Sequence, residues 1–165
     1  MYLVYGLEKS GKSIIFLLHN QNKKFKVWDD NKLVRKSFKK KYGAEILIKP
    51  TKKNLNFFKK VFVSPGITIR QKIFQLKNKS FEVNRDLNLY YENLVNQKII
   101  AVTGTNGKST TTKLIGDILK ENKIEAFVGG NIGEPLCDAF IKDKKYNYHV
   151  IELSSFQLET IKNFN

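Results

Sequence analysis

Hydrophobic positions along the chain come in short runs separated by polar, glycine-bearing turns. Residues 2–5 are apolar with little alternation, the pattern of a strand buried on both faces of a parallel sheet. Residues 14–18, Ile-Ile-Phe-Leu-Leu, open a helix, and residues 25–30 read as a strand closing on Asp29 and Asp30. Ile46, Leu47 and Ile48 form a brief apolar run stopped by Pro50, and residues 55–60 have a helical pattern. Val61, Phe62 and Val63 form a buried strand ending in Ser64-Pro65-Gly66-Ile67, a rigid turn. Residues 73–76 suit a short helix, 80–83 a strand and 85–91 an amphipathic stretch. A second series follows. It has a strand at 99–102, a helix with Leu114, Ile115, Ile118 and Leu119 on one face, a strand at 124–128, a helical pattern at 136–141 and a buried strand at 148–153. Strands alternating with helices predict an α/β fold with parallel sheets. The break between the series predicts two domains, residues 1–92 and 93–165.

Both series carry a glycine turn between a strand and a helix, and both turns contain Gly-Lys-Ser. The first, Gly6-Leu7-Glu8-Lys9-Ser10-Gly11-Lys12-Ser13, matches the G-x-x-x-x-G-K-[ST] pattern of a triphosphate loop. The second, Gly104-Thr105-Asn106-Gly107-Lys108-Ser109-Thr110, has a shorter spacing. Context reverses the order that the pattern alone suggests. The first turn is followed by a helix and then a strand ending in Asp29, about 20 residues on. That is the dinucleotide-type βαβ layout, in which the acid meets a sugar hydroxyl. The first turn therefore reads as a diphosphate site for a sugar nucleotide, or as a plain strand–helix turn. The second is read as the triphosphate loop. Its glycines admit phosphate oxygens to backbone N–H groups, and the helix N-terminus adds donors and a positive dipole end. Lys108 supplies charge for the outer phosphates and Ser109 an oxygen for Mg²⁺. Glu152, at a strand tip beside that loop, is the candidate second Mg²⁺-site residue. Gly129-Gly130-Asn131-Ile132-Gly133 either presents the Asn131 amide to a pocket or is an ordinary β-turn. His149 and Cys137 are read as packed side chains.

Composition narrows the setting. In 165 residues, 41% hydrophobic content supports a packed core and argues against disorder. The net charge of +15 leaves two readings, a nucleic-acid binder or lysines spread over solvated faces. Only Arg35, Arg70 and Arg85 are arginines, and no aromatic–basic stacking module is evident, so the second is preferred. The single cysteine excludes an internal disulfide. No signal-peptide pattern opens the chain, and no apolar run approaches the ~20 residues of a membrane span. A cytoplasmic protein, without nucleic acid or membrane insertion, is the expectation. A stand-alone nucleotide-binding module or NTPase and a basic nucleic-acid binder remain the alternatives.

Three stretches together resemble the Mur ligase family. They are Val102 through Thr110, Gly129 through Gly133, and Ile151-Glu152-Leu153-Ser154-Ser155-Phe156-Gln157-Leu158-Glu159. The first is shared with folate polyglutamate ligases. The last, with Ser64-Pro65-Gly66-Ile67, is specific to members that add D-glutamate. The resemblance implies a Rossmann-like N-terminal domain followed by the start of a P-loop-type central domain. It also implies a longer ligase whose C-terminal amino-acid-binding domain lies beyond Asn165, with a metal-binding histidine and a carbamylated lysine also beyond it. The 165 residues alone are then expected to turn over negligibly. The implied activity is ATP- and Mg²⁺-dependent amide-bond formation between UDP-N-acetylmuramoyl-L-alanine and D-glutamate through an acyl phosphate, by a monomer. The implied catalytic residues are Lys108 and Glu152. Gly104, Thr105, Asn106, Gly107, Lys108, Ser109 and Thr110 bind ATP, and Ser109 and Glu152 hold the metal. Lys9, Ser10, Asp29, Asp30, Ser64, Pro65 and Gly66 grip the uridine diphosphate. Asn131 and Ser154 contact the muramoyl-alanine part. Glu8 and Lys9 depart from the small or apolar residues usual in the first turn.

Overall fold

The computed structural model describes residues 1–76, 79–141 and 145–161. By its internal contacts the chain divides into two compact units, Met1–Asp86 and Leu87–Asn165. The division precedes the break expected at 92/93, because Leu87 and Tyr90 are fully buried in the core of the second unit.

The first unit is built on strands β1 (Tyr2–Tyr5), β2 (Phe25–Trp28), β3 (Lys60–Val63) and β4 (Glu82–Asn84). Among the described residues they form one parallel sheet in the order β2-β1-β3-β4. The apolar run around Leu47 adds a parallel bridge to Val27 on the outer side of β2. Ile46 accepts from the Val27 N–H at 2.9 Å and the Ile48 N–H donates to Val27 at 3.1 Å. The chain thus winds outward from β1 through β2 to Leu47, then returns to start again with β3. This is a doubly wound order, and its switch point lies between β1 and β3. Helix α1 (Lys9–Asn20) buries Ile14, Leu17 and Leu18. Strand alternation sends Leu3, Tyr5, Val61 and Val63 to the opposite face, where they pack with Leu55, Phe58, Phe74 and Phe81. The basic run becomes helix α2 (Lys32–Tyr42), which buries Phe38 and leaves most of its cationic side chains exposed.

The second unit has strands β5 (Lys98–Val102), β6 (Ala126–Gly130) and β7 (Tyr148–Glu152), parallel and ordered β5-β7-β6. Helix α3 (Asp86–Glu92) leads into it, α4 (Lys108–Glu121) joins β5 to β6, and α5 (Ser155–Leu158) follows β7. Tyr90, Phe127, Leu136, Ile151 and Leu153 form its core. Among the described residues no helix is long and apolar enough to cross a membrane.

Several expectations are corrected. The helical pattern at 55–60 yields one 3₁₀ turn, Leu55–Phe57, and Lys60 already belongs to β3. Leu55 and Phe58 reach the core from that single turn, and the Lys59 N–H is drawn to the Met1 carbonyl at the sheet edge, 2.9 Å away. The stretches at 73–76 and 136–141 are likewise 3₁₀, at Lys72–Phe74 and Leu136–Phe140. The expected inner face of α4 is rotated. Leu114 and Ile118 are 57% and 52% exposed, whereas Thr112 is buried. Thr112, Ile115, Gly116 and Leu119 form the inward stripe, because Gly116 lets the helix close on Val128. A Cβ at Gly116 would lie 2.7 Å from that valine's side chain.

Candidate functional site

Each unit gathers predicted residues at the carboxyl ends of its strands. In the first unit the backbone turns at Gly6 with φ +101, a region that L side chains rarely adopt. The Gly6 N–H donates to the Trp28 carbonyl at 2.7 Å, and the Leu7 N–H to Asp29 Oδ2 at 2.8 Å. Asp29 is 8% exposed, and its Oδ1 accepts the Asn31 N–H at 2.8 Å. It therefore braces the ends of β1 and β2 against each other. Asp30 is exposed and accepts from Tyr5 Oη at 2.6 Å and Trp28 Nε1 at 3.2 Å. Burial, then the Asp30 hydrogen bond and charge, push the Tyr5 hydroxyl upward, so it stays a donor. Ser64 Oγ donates to the Gly6 carbonyl at 3.1 Å, tying the turn after β3 to the turn after β1. Lys9 is exposed and Ser10 half-buried at the start of α1; Pro65 is half-buried and Gly66 exposed. Gly6, Asp29 and Ser64 are thus joined by hydrogen bonds.

The Gly11-Lys12-Ser13 triplet of this unit is already inside the helix. Helix α1 begins at Lys9, and the Lys12 N–H donates to the Glu8 carbonyl at 2.9 Å. Ser13 is 3% exposed, turned away from solvent. Gly11 serves packing, since a Cβ there would fall 1.8 Å from the Gly6 carbonyl oxygen.

In the second unit the corresponding triplet opens the helix. Gly107, in the left-handed region at φ +76, is the N-cap of α4, and Lys108 is its first residue. Gly104 is at φ +139, and a Cβ added at either glycine would meet no atom within 4 Å, so the loop surface is open. Thr105, Asn106, Ser109 and Thr110 are exposed. Lys108 Nζ donates to the carbonyls of Gly104 at 2.9 Å and Thr105 at 3.3 Å, holding its charge over its own loop. The first N–H groups of α4 point toward that loop without intrahelical acceptors. An anion is favoured there by donors, dipole and cation together.

Glu152 ends β7, in register with Val102 of β5 on one side and Gly130 of β6 on the other. Alternation along β7 puts His149 and Ile151 on the core face, and Val150 and Glu152 on the face that α4 covers. The carboxylate is 2% exposed and accepts from Asn131 Nδ2 at 3.1 Å, while the Asn131 N–H donates to the Glu152 carbonyl at 2.9 Å. Gly130, at φ +122, makes this approach possible, because a Cβ would meet the Glu152 carbonyl oxygen at 2.2 Å. Ser154 caps α5 in a capping box with Gln157. Among the described residues no three His, Cys, Asp or Glu side chains cluster as a metal cage. Glu152 offers a buried carboxylate and Ser109 an exposed hydroxyl, oxygen donors of the kind Mg²⁺ takes beside phosphates and water.

Residues 102–165 match the family model of the Mur ligase middle domain. What that match shows is a Mur ligase middle domain over those residues. It is 41% identical to the UDP-N-acetylmuramoylalanine--D-glutamate ligase of Wolbachia sp. subsp. Brugia malayi, over 96% of this chain and 32% of that protein. Its identity to the proteins of the same name is 36% in Rickettsia prowazekii, over 98% of the chain, and 37% in Prochlorococcus marinus, over 96% of the chain; it spans 36% of each. The chain thus spans about a third of the length of these curated relatives.

Beside the residues expected from the Mur ligase resemblance, the structure adds Arg85 and Arg35. Arg85 is fully buried and donates to carbonyls of the Ser64 turn. Arg35 lies over the Trp28 ring at 4.4 Å and donates to the Asp29 and Asp30 carbonyls at 2.6 and 2.7 Å. Neither was legible as a site residue: Arg85 acts through carbonyls 18 to 22 residues away that only the fold brings near, and Arg35 through the carbonyls of Asp29 and Asp30 rather than their side chains.

Proposed function

We propose that this chain provides the nucleotide-handling part of a cytoplasmic, ATP-dependent ligase that joins D-glutamate to UDP-N-acetylmuramoyl-L-alanine in peptidoglycan precursor synthesis. Residues 93–165 take the triphosphate at 104–110, and residues 1–92 take the uridine diphosphate at the Gly6, Asp29 and Ser64 edge. The observation that carries this reading is the start of α4. Gly107 caps the helix, Lys108 and Ser109 follow at once, and Glu152 ends the adjacent strand on the same face of the sheet.

In this reading Lys108 exchanges the Gly104 and Thr105 carbonyls for phosphate oxygens and balances charge on the transferring phosphoryl group. Ser109 and Glu152 hold Mg²⁺, with Asn131 fixing the carboxylate. When bound, the ion neutralises the outer phosphates. The muramoyl-alanine carboxylate takes the γ-phosphoryl group and ADP departs. The D-glutamate amine then attacks the acyl carbon and phosphate leaves. Asn131 and Ser154 serve the muramoyl-alanine end of the substrate.

The test is a titration of the chain with Mg²⁺–ATP and with UDP, followed residue by residue by amide chemical shifts. ATP is expected to move the amides of residues 104–110, and UDP those around Gly6, Ser10 and Ser64. An ATP analogue seated at residues 6–13, with the 104–110 loop unperturbed, sinks the reading.

A further inference from the structure

We infer that Arg85 is a positioning residue for the nucleotide-diphosphate edge of the first unit, acting through the Ser64-Pro65-Gly66-Ile67 turn. The inference rests on the reading of that edge as the uridine diphosphate site.

Arg85 follows directly after β4 and is 0% exposed. Its Nη1 donates to the carbonyls of Ser64 and Ile67, each at 2.7 Å, and to that of Val63 at 3.3 Å. The turn closes on itself through the Ile67 N–H and the Ser64 carbonyl at 2.9 Å, and the Ser64 N–H is anchored to Tyr5. The guanidinium holds the Ser64 carbonyl, and the hydroxyl of the same residue donates to the Gly6 carbonyl, so Ser64 links the two. The residue that turns β1 into α1 is thereby held in place from β4, across β3.

Two physical effects follow. The carbonyls at both ends of the turn converge on one buried cation. Without it the Ser64 carbonyl would keep only the Ile67 N–H and the Ile67 carbonyl would lose its guanidinium donor, so the turn would loosen toward water and carry Ser64 with it. The charge also lies beneath a turn expected to face an anionic ligand, where burial keeps it from being screened by salt. A lysine retains the charge but lacks the planar fork of donors, so it replaces the effect only in part.

Calorimetric titration of UDP into the 165-residue chain tests this, with thermal unfolding and Mg²⁺–ATP titration run on the same samples. Arg85→Met is expected to weaken UDP binding about tenfold in protein that is still folded, with ATP affinity unchanged. Arg85→Lys should recover part of the loss. Ser64→Ala, which cuts the link to Gly6 without touching the buried cation, should weaken UDP binding in the same direction. A folded Arg85→Met chain that binds UDP within about twofold of the unsubstituted one overturns the positioning role. If Arg85→Met does not fold, Arg85→Lys and Ser64→Ala decide. Because Ser64 itself faces the diphosphate, weakened binding in Arg85→Lys supports the positioning role, and unchanged binding in either variant overturns it. Failure of the unsubstituted chain to bind UDP is a different result, and it removes the diphosphate reading of the edge itself together with the role built on it.

Discussion

The two Gly-Lys-Ser triplets have the same letters and opposite surroundings. Lys12 is the fourth residue of α1, behind a helix start at Lys9; Lys108 is the first residue of α4. The offset of nearly one helical turn changes what each residue can reach. In the first unit the glycine is pressed against the Gly6 carbonyl and the serine is buried, while the first two amides of the turn are taken by Trp28 and Asp29. In the second unit the glycine caps the helix in the left-handed region, and the lysine and serine stand at the free N–H groups. What such a triplet offers an anion is therefore set by its register on the helix, not by its composition.

Four tests bear on that contrast. The largest effect is expected from Gly11→Ala. The added methyl would overlap the Gly6 carbonyl, 1.8 Å away, between two backbones that cannot separate without opening the sheet. A loss of more than about 3 kcal/mol, or failure of the first unit to fold, should show in denaturant unfolding. A fully stable Gly11→Ala chain would mean that the first triplet is not packed as described.

Next comes Lys108→Ala, which should weaken Mg²⁺–ATP binding by about 2–3 kcal/mol in calorimetry. Lys12→Ala should change it by less than about 0.5 kcal/mol. The reverse ranking would exchange the roles of the two turns.

Acid should separate the cores. His149 is 1% exposed, its Nδ1 lies 2.7 Å from Tyr90 Oη, and the Phe127 and Phe140 rings flank it. Burial lowers its pKa to about 4, against a backbone hydrogen bond involving Tyr146 that raises it. The unfolded chain takes up this proton near the ordinary value of about 6.5, before the folded one does. The neutral, packed histidine thus favours the folded state fully above pH ~6.5, and that contribution declines as pH falls toward about 4. A decline of up to about 3 kcal/mol in the second unit is expected over that window, flattened in His149→Phe; identical pH profiles would refute it.

Among the effects on stability, the smallest is expected from Gly107→Ala. The position is open, so only the left-handed backbone resists a side chain, at about 1 kcal/mol by thermal unfolding. Compared with Gly11→Ala, it separates a glycine kept for conformation from one kept for space.

Much of this architecture was legible because parallel strands buried on both faces are written as continuous apolar runs. Tyr2–Tyr5, the Val61–Val63 part of β3 and Tyr148–Glu152 lie where those runs predict, and Glu152 ends its strand as expected. The 3₁₀ turns at Leu55–Phe57 and Leu136–Phe140 were not, since a few apolar residues at helical spacing do not reveal whether a second turn forms. Nor was the inward face of α4, which Gly116 sets by admitting Val128, although Leu114 and Ile118 are the more hydrophobic choice.

Local sterics and hydrophobic period are enough to set the alternation of strand and helix, the glycines at both turns and the acids at two strand ends. Which Gly-Lys-Ser heads its helix, that Asn131 meets Glu152, and that Arg85 reaches under Ser64 come from the folded chain. Each depends on where separate strands end relative to one another, and that register is set by sheet pairing and core packing over distances that no local pattern encodes.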